Sequence, residues 1–162
     1  MKEFFTRIDD RLIHGQVIMG WTRSLGVTRI LVADDKTAVD KVQISLMRMA
    51  TPAGLESDFL TVDDTVEKIK TGAYANESIM LLAVGPKTII KLLDKGLDIS
   101  SLNIGNMRSG PGKRKLLNIV YATPEEIEDW KELDRRGVKM SAQSVPDMKK
   151  TDFNSILKKK IK

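Results

Sequence analysis

The stretch that decides the fold runs from residue 7 to residue 17 and reads RIDDRLIHGQV. It joins a predicted first strand, Glu3–Ile8, to a predicted first helix in which Val17, Trp21 and Leu25 recur at spacings of four residues. In an open α/β sheet, ligands bind outside the carboxyl ends of the strands. This junction therefore indicates both the class of fold and the place of a ligand site.

The rest of the chain alternates short apolar runs with segments of helical period. This alternation predicts an α/β fold, namely an open doubly wound, mostly parallel sheet of about seven strands with about six helices on its two faces. The strands are expected at Glu3–Ile8, Arg29–Ala33, Ser57–Thr61, Ser78–Val84, Ser101–Ile104, Leu117–Ala122 and Lys139–Val145.

The segments between the predicted strands contain apolar residues at helical spacing and residues that are typical of helix ends. Val42, Leu46 and Met49 are spaced by four and three residues, and they are expected to face the core. The sequence TPEE at residues 123–126 predicts a capping box with proline at the first helical position, and Gly137 is expected to end that helix.

Composition points to one compact domain over residues 1–162, because 41% of these residues are hydrophobic and suffice for one core. The sequence shows neither an apolar run of about 18 residues nor a signal peptide, which predicts an intracellular protein. It contains no cysteine and one histidine, so cysteine-based and multi-histidine metal sites are excluded.

The net charge of +5 arises mostly at one end of the chain, because four lysines lie in the last five residues and the rest carries only +1. These lysines are Lys158, Lys159, Lys160 and Lys162. Cations suit the carboxyl terminus of a helix, so a solvated helix end explains them. Because basic and aromatic residues are not interleaved as in single-strand binders, no nucleic-acid partner is expected.

The single histidine, His14, lies directly before the predicted first helix. Gly15 permits close backbone approach, and the N–H groups of a first helical turn attract anions. Arg11 and Arg7 add guanidinium groups that match phosphate oxygens. An imidazole placed here acts either as a proton shuttle or as a nucleophile that holds a phosphoryl group, and the neighbouring cations favour the nucleophile. Asp9 or Asp10 is expected to orient the ring through its other nitrogen or to hold Arg11.

Residues 7–17 closely resemble the active-site signature of IIB components of the mannose/fructose/sorbose family of the phosphoenolpyruvate-dependent sugar phosphotransferase system. The resemblance continues through the whole chain, in ILVADD, MRMATPAGL, LNIGNMR and YATPEEIEDWKELDRRGVKMSAQSVP. Where the family more often has two glycines, in the LNIGNMR region, this chain has Gly105-Asn106.

The resemblance implies a phosphocarrier domain with a seven-stranded doubly wound sheet and six helices. His14 would receive a phosphoryl group at Nδ1 from a IIA partner and pass it to a sugar held by membrane-embedded IIC and IID components. Arg11 would be the nearest side-chain donor to that group, and Gly15 and Gln16 would contribute backbone N–H groups. The expected phosphate-binding or supporting residues are Asp10, Arg11, Gly15, Gln16 and Arg7.

Beyond the covalent phosphoryl group on His14, the resemblance implies no cofactor and no metal. It implies a cytoplasmic protein that associates peripherally with the permease, and it is compatible with a homo-oligomer. Mannose, fructose, sorbose and N-acetylgalactosamine all remain open as the sugar. Leu12 and Ile13 are interpreted either as part of the surface that meets IIA or as residues that pack the loop onto the domain.

Other loops at the same sheet edge carry weaker signals. Asp34 and Asp35 follow the second strand and Gly85-Pro86-Lys87 follows the fourth, and we interpret them chiefly as a solvated turn and a helix start. Arg108 is a candidate for contact with phosphate or with a partner. Its loop has Walker spacing between glycines but has Pro111 in place of the lysine, so it fails as a nucleotide motif.

Two alternative functions belong to different classes. A histidine phosphatase would need an arginine directly before His14 and a second histidine, and this chain has Ile13 at that place and no other histidine. A noncatalytic anion-binding α/β module would use His14 for binding alone, and the fold does not separate it from a phosphocarrier.

Overall fold

The protein consists of a central sheet with helices on both faces. The computed structural model describes residues 4–161. The strands are β1 (Phe5–Asp9), β2 (Arg29–Ala33), β3 (Glu56–Leu60), β4 (Ile79–Ala83), β5 (Ser101–Asn106), β6 (Arg114–Leu117), β7 (Val120–Ala122), β8 (Lys139–Ala142) and β9 (Thr151–Asp152). The α-helices are α1 (Gly15–Leu25), α2 (Lys41–Ala50), α3 (Val62–Lys70), α4 (Pro86–Asp94), α5 (Pro124–Arg135) and α6 (Phe153–Lys160). A short 3₁₀ helix spans Thr37–Val39.

Seven strands form one sheet in the order β3-β2-β4-β1-β5-β8-β9. Neighbouring strands are parallel except for the antiparallel pair of β8 and β9. Strand β1 lies between β4 and β5, so the loops that follow these three strands leave the sheet side by side. In such a sheet this carboxyl edge is where ligands bind.

The alternation of side chains along each strand divides the core into two layers. In β2, Val32 packs in one layer with Trp21 of α1 and Met47 of α2. Its neighbour Leu31 packs in the other layer, which contains buried residues of α3, α4, α5 and α6 such as Trp130. Helices α1 and α2 therefore cover one face of the sheet, and the other four helices cover the opposite face.

The predicted fold class is confirmed, and the predicted strand Arg29–Ala33 coincides with β2. The predicted strand Leu117–Ala122 is wrong as a member of the sheet, because a turn at residues 118–119 folds it back so that Leu117 pairs with Val120. Asparagine at residue 118 favours such a turn. The seventh strand of the sheet is instead the two-residue β9, which the sequence pattern did not predict. Glu3, the first residue of the first predicted strand, lies outside the described residues.

The prediction that Val42, Leu46 and Met49 face the core is also wrong, since all three side chains are largely exposed. Helix α2 instead rests on the sheet through Ile44 and Met47, which are also three residues apart and so also fit a helical stripe. The sequence pattern carried two apolar stripes, and only one of them is buried.

The stripe predicted on α1 is confirmed only in part. Trp21 is buried, whereas Leu25 is 40% exposed. The side chain of Val17 lies outside the described part of the chain.

The predicted helix ends are confirmed. Thr123 Oγ1 accepts a hydrogen bond from the backbone N–H of Glu126, and the Glu126 carboxylate accepts one from the N–H of Thr123, which completes the capping box. Gly137 follows the end of α5 with a φ of 80°, and lysines at residues 158–160 form the last turn of α6. No helix within residues 4–161 combines the length and the apolar character needed to cross a membrane.

Candidate active site

The loop between β1 and α1 is held by a turn and by two buried side chains. The backbone N–H of Leu12 donates to the carbonyl of Asp9 at 2.9 Å. Leu12 has a φ of 58°, a left-handed conformation that costs a non-glycine residue about 1–3 kcal/mol. Burial of the Leu12 and Ile13 side chains in the layer beneath α1 compensates this strain. The packing interpretation of Leu12 and Ile13 is therefore correct, and their proposed place in an exposed interface is wrong.

His14 occupies the N-cap position of α1 with extended backbone angles, and its side chain makes no capping hydrogen bond. Its ring turns instead toward the end of β1, where Nε2 lies 3.0 Å from Asp9 Oδ2. An ionised carboxylate only accepts hydrogen bonds, so Nε2 donates in this contact, and in the neutral form of the ring the lone pair then lies on Nδ1. The residues described here make no hydrogen bond to Nδ1, and 23% of the side chain is exposed.

Asp9 is the common acceptor of the site and is completely buried. Besides His14, it accepts hydrogen bonds from the backbone N–H, Nε and Nη2 of Arg11, each at 3.1 Å. Burial of the carboxyl group raises its pKa, but the hydrogen bonds from His14 and Arg11 outweigh that effect, so the pKa of Asp9 lies below its usual value. Asp9 is thus an ionised carboxylate at neutral pH.

Arg11 lies beside His14 because both side chains bind Asp9 Oδ2, Arg11 through Nη2 and His14 through Nε2. The guanidinium group forms a fork on the carboxylate, with Nε on one oxygen and Nη2 on the other. About a third of the side chain, 35%, remains exposed. Asp9 therefore serves both roles that the sequence left open, since it orients the ring and holds Arg11.

Arg7 is completely buried beneath the site. Its Nη1 donates to the Asn103 side chain and to the carbonyl of Gln143, and its Nη2 donates to the carbonyl of Ser144 and to Asp9. Burial lowers the pKa of Arg7 to about 10, which leaves the group charged at neutral pH. Of the two expected roles, phosphate binding or support of the site, the geometry of Arg7 agrees with support, because the group is enclosed and its terminal nitrogens are engaged by protein oxygens.

Gly105 is required by this buried guanidinium group. The register of β1 against β5 skips Gly105, so the strand carries a bulge at that point. A Cβ atom added to Gly105 would overlap the guanidinium nitrogens of Arg7. The following residue, Asn106, uses its side chain to donate to Asp10 Oδ1 at 3.0 Å. The asparagine in the Gly105-Asn106 pair thus has a structural role of its own.

Asp10 supports the neighbouring loop and has no contact with His14 among the described hydrogen bonds. Its Oδ2 accepts from the backbone N–H of Arg108 at 2.8 Å and from Arg108 Nε at 3.3 Å. The carboxylate that orients the ring is therefore Asp9, and Asp10 ties the loop after β5 to the loop after β1. The exposed guanidinium group of Arg108 is held at the same sheet edge as a result.

Gly15 and Gln16 begin α1 directly after His14. Gly15 is exposed, has a φ of 35° and would place an added Cβ in open space. The first N–H groups of a helix have no partner within the helix, and they attract anions. The expected use of the Gly15 and Gln16 backbone N–H groups stays a prediction, and the side chain of Gln16 lies outside the described part of the chain.

The residues that were weaker candidates for the site, in the loops after the second and fourth strands, have structural roles. Asp34 Oδ2 accepts from the N–H and hydroxyl of Thr37, and Asp35 Oδ1 accepts from the N–H of Val62 at 2.9 Å. Lys87 faces Asp129 at 3.5 Å, which links α4 to α5. These contacts confirm the turn and helix-start interpretations.

One supporting residue, Asn103, was missed from the sequence. It lies in β5, is 4% exposed and accepts from the buried Arg7. An amide inside a predicted buried strand is the signal that could have revealed it, because buried polar groups need a hydrogen-bonding partner.

The fold and the site define an α/β domain that presents a histidine with a free Nδ1 at the sheet edge, beside an arginine and a helix amino terminus. The family model described as "PTS system sorbose subfamily IIB component" matches residues 4–162. This chain belongs to that family, the sorbose-type IIB components of the sugar phosphotransferase system.

Individual relatives agree with the family. The chain is 36% identical over 142 residues to the N-acetylgalactosamine-specific phosphotransferase enzyme IIB component 1 of Escherichia coli K12, with 87% of this chain and 89% of the relative covered. It is 35% identical to the mannose-specific EIIAB component of the same organism, with 94% of this chain covered but only 48% of the relative. The chain thus spans about half the length of that relative.

A solved structure has the same fold. The IIBSor domain of the sorbose permease from Klebsiella pneumoniae superposes with a TM-score of 0.92 at 30% identity, and 98% of each chain is covered.

Proposed function

We propose that this IIB domain carries a phosphoryl group on Nδ1 of His14, which it receives from a IIA protein and delivers to a sugar held by membrane-embedded IIC and IID components. The observation that carries this proposal is the 3.0 Å contact between His14 Nε2 and the buried carboxylate of Asp9. That contact keeps the proton on Nε2 and leaves the lone pair of Nδ1 available as the nucleophile.

Each transfer exchanges one bond to phosphorus for another. In the first step the N–P bond of the phosphohistidine in IIA breaks while the Nδ1–P bond of His14 forms, and the imidazole of IIA leaves with the electron pair. In the second step the Nδ1–P bond breaks, a sugar hydroxyl oxygen bonds to phosphorus, and its proton is released to solvent. His14 returns to its starting tautomer with the proton still on Nε2.

Asp9 stabilises the phosphorylated state of His14. A ring that bears phosphorus on Nδ1 and hydrogen on Nε2 carries a positive charge, and the Asp9 carboxylate lies in direct contact with that Nε2–H. The phosphoryl oxygens carry the opposite charge. They would face Arg11, which Asp9 holds beside the ring, and the first N–H groups of α1, which have no partner within the helix.

The cellular place and the sugar follow from the same proposal. Since the phosphoryl group originates from phosphoenolpyruvate, a product of intracellular metabolism, we place this domain on the cytoplasmic side of the permease. Relatives bear the names of mannose, sorbose, fructose and N-acetylgalactosamine. We therefore propose a hexose or a hexose derivative as the sugar.

Incubation with radiolabelled phosphoenolpyruvate, the general phosphotransferase proteins and a cognate IIA tests the first transfer. We expect one phosphoryl group per chain with the acid lability and base stability of phosphohistidine. Because His14 is the only histidine, His14→Ala should remove the label while the circular dichroism spectrum and thermal midpoint stay close to those of the parent. Label that persists in His14→Ala would show that the acceptor is another residue.

A further inference from the structure

Helix α2 exposes a row of large apolar side chains that the proposed relay does not use. Val42, Leu46 and Met49 of α2 are 73%, 61% and 84% exposed. Their spacing of four and three residues puts them on one side of the helix. We call these three residues the apolar α2 face.

This row differs from the scattered apolar residues that every protein surface carries. Single exposed apolar residues are ordinary, whereas a contiguous apolar patch marks a surface that binds something. Anchors at such spacings are the pattern by which an amphipathic helix lies in an apolar groove of a partner. The exposed side of α2 is available to a partner, because Ile44 and Met47 pack the other side of the helix against the sheet.

The charges beside the apolar α2 face define the chemistry of the partner. Helix α2 itself contains no acidic residue, and the one carboxylate at its amino end, the N-cap Asp40, accepts a hydrogen bond from the backbone N–H of Gln43. The two cations of the helix, Lys41 and Arg48, lie seven residues apart along one flank. Arg48 is held there over the ring of Phe59, 5.7 Å from its centroid. A second copy of the chain packed antiparallel would bring these like charges together, which disfavours self-association. The fitting partner has an apolar groove with carboxylates along one border.

The position of the face allows it to stay bound while His14 exchanges partners. Helix α2 packs over β2 and β3, whereas His14 follows β1, two strands away from β2 at about 5 Å per strand. The face runs about 10 Å along the helix, away from the carboxyl edge of the sheet. Interfaces that persist are more apolar than those that form and dissolve at each turnover.

We infer that the apolar α2 face is the lasting attachment site of this domain on its membrane-embedded partner, through an acidic-bordered apolar groove on the cytoplasmic side of that partner. The inference rests on the proposed function for the existence of such a partner. It leaves the edge around His14 free for the passing IIA protein.

Co-sedimentation with inverted membrane vesicles that contain the cognate IIC and IID components tests this attachment. Leu46→Glu and Met49→Glu should each weaken binding by about tenfold or more, because each would bury a carboxylate beside an acidic border. Met148→Glu is the matched control, since Met148 is 54% exposed and lies outside α2, and it should bind as the parent does. The rate at which IIA labels His14 in solution should stay within about twofold of the parent in all three variants.

Four results would overturn the inference: unchanged binding of both α2 variants, equal binding of the parent to vesicles of anionic phospholipid alone, a dimer in light scattering that the α2 variants dissociate, or a matching loss of IIA transfer. The sedimentation readout needs no phosphoryl transfer. Failure of the proposed relay would therefore appear as missing label on His14, independently of whether the chain binds the vesicles through α2.

Discussion

Replacing Asp9 by asparagine tests how the site is held together. The substitution keeps the shape of the side chain but removes the charge that faces buried Arg7 and partly exposed Arg11. Breaking a buried ion pair on one side costs about 3–5 kcal/mol, because the remaining charge is left without compensation. For a chain of this length the thermal midpoint should fall by on the order of 10 °C.

The stability difference between the parent and Asp9→Asn should depend on pH, in a direction set by the pKa of Asp9. The pKa of Asp9 is lower in the folded protein than its ordinary value, so the carboxylate stabilises the fold above about pH 4 and this contribution disappears as the pH falls through the folded pKa. The difference in unfolding free energy between the parent and Asp9→Asn should therefore be largest near neutral pH and shrink toward pH 3. Urea denaturation followed by fluorescence at pH 7, 5, 4 and 3 measures this difference.

Asp10→Asn provides the matched control for the same chemical change. Asp10 is partly exposed and binds Asn106 and the exposed Arg108, so its replacement should cost only about 1 kcal/mol. If the two variants lost equal stability at neutral pH, or if the deficit of Asp9→Asn did not shrink on acidification, the assignment of Asp9 as the buried charged acceptor would be refuted.

Two further substitutions test other contacts of the site. Arg11→Ala should slow phosphoryl transfer to His14 by about 30-fold, equivalent to about 2 kcal/mol in the transition state, as measured by rapid-quench labelling; an unchanged rate would remove Arg11 from the phosphoryl site. Gly105→Ala should destabilise the fold by about 1–3 kcal/mol because its methyl group would displace the Arg7 guanidinium group, and a thermal midpoint equal to that of the parent would contradict this packing.

The fold was predictable wherever a single physical pattern acted alone. The run Ile30–Ala33 is apolar throughout and forms the part of β2 that is buried on both faces. Helix α2 shows the limit, because it offers one apolar stripe to the sheet and a second to solvent, and a sequence does not say which of two stripes a neighbour covers. Strand β9 has two residues and takes its place only through pairing with β8, so no local pattern marks it.

The site was predictable in its central residue and less so in its support. The position of His14 was identified from the strand-to-helix junction, which is a local feature, and its expected role came from the resemblance of residues 7–17 to the family signature. The roles of Asp9 and Asp10 differ because β1 ends between them: the Asp9 carboxylate is buried within the protein, and Asp10, in the turn that follows, binds the loop after β5. The sequence left open whether Arg7 binds phosphate or supports the site, because its partners Asn103, Gln143 and Ser144 lie about 100 to 140 residues further along the chain, beyond any local signal.

The bonds from Arg7 to the carbonyls of Gln143 and Ser144 span 136 and 137 residues, and they set the order in which the protein can mature during synthesis. After it has added Arg7, a ribosome that adds about 5–20 residues per second needs on the order of 10 s to reach Gln143 and Ser144. Until then the nascent chain carries its histidine beside an arginine that lacks its final anchors. Under the proposed function, the site around His14 is therefore complete only after Gln143 and Ser144 have emerged and their carbonyls have closed over Arg7 of β1.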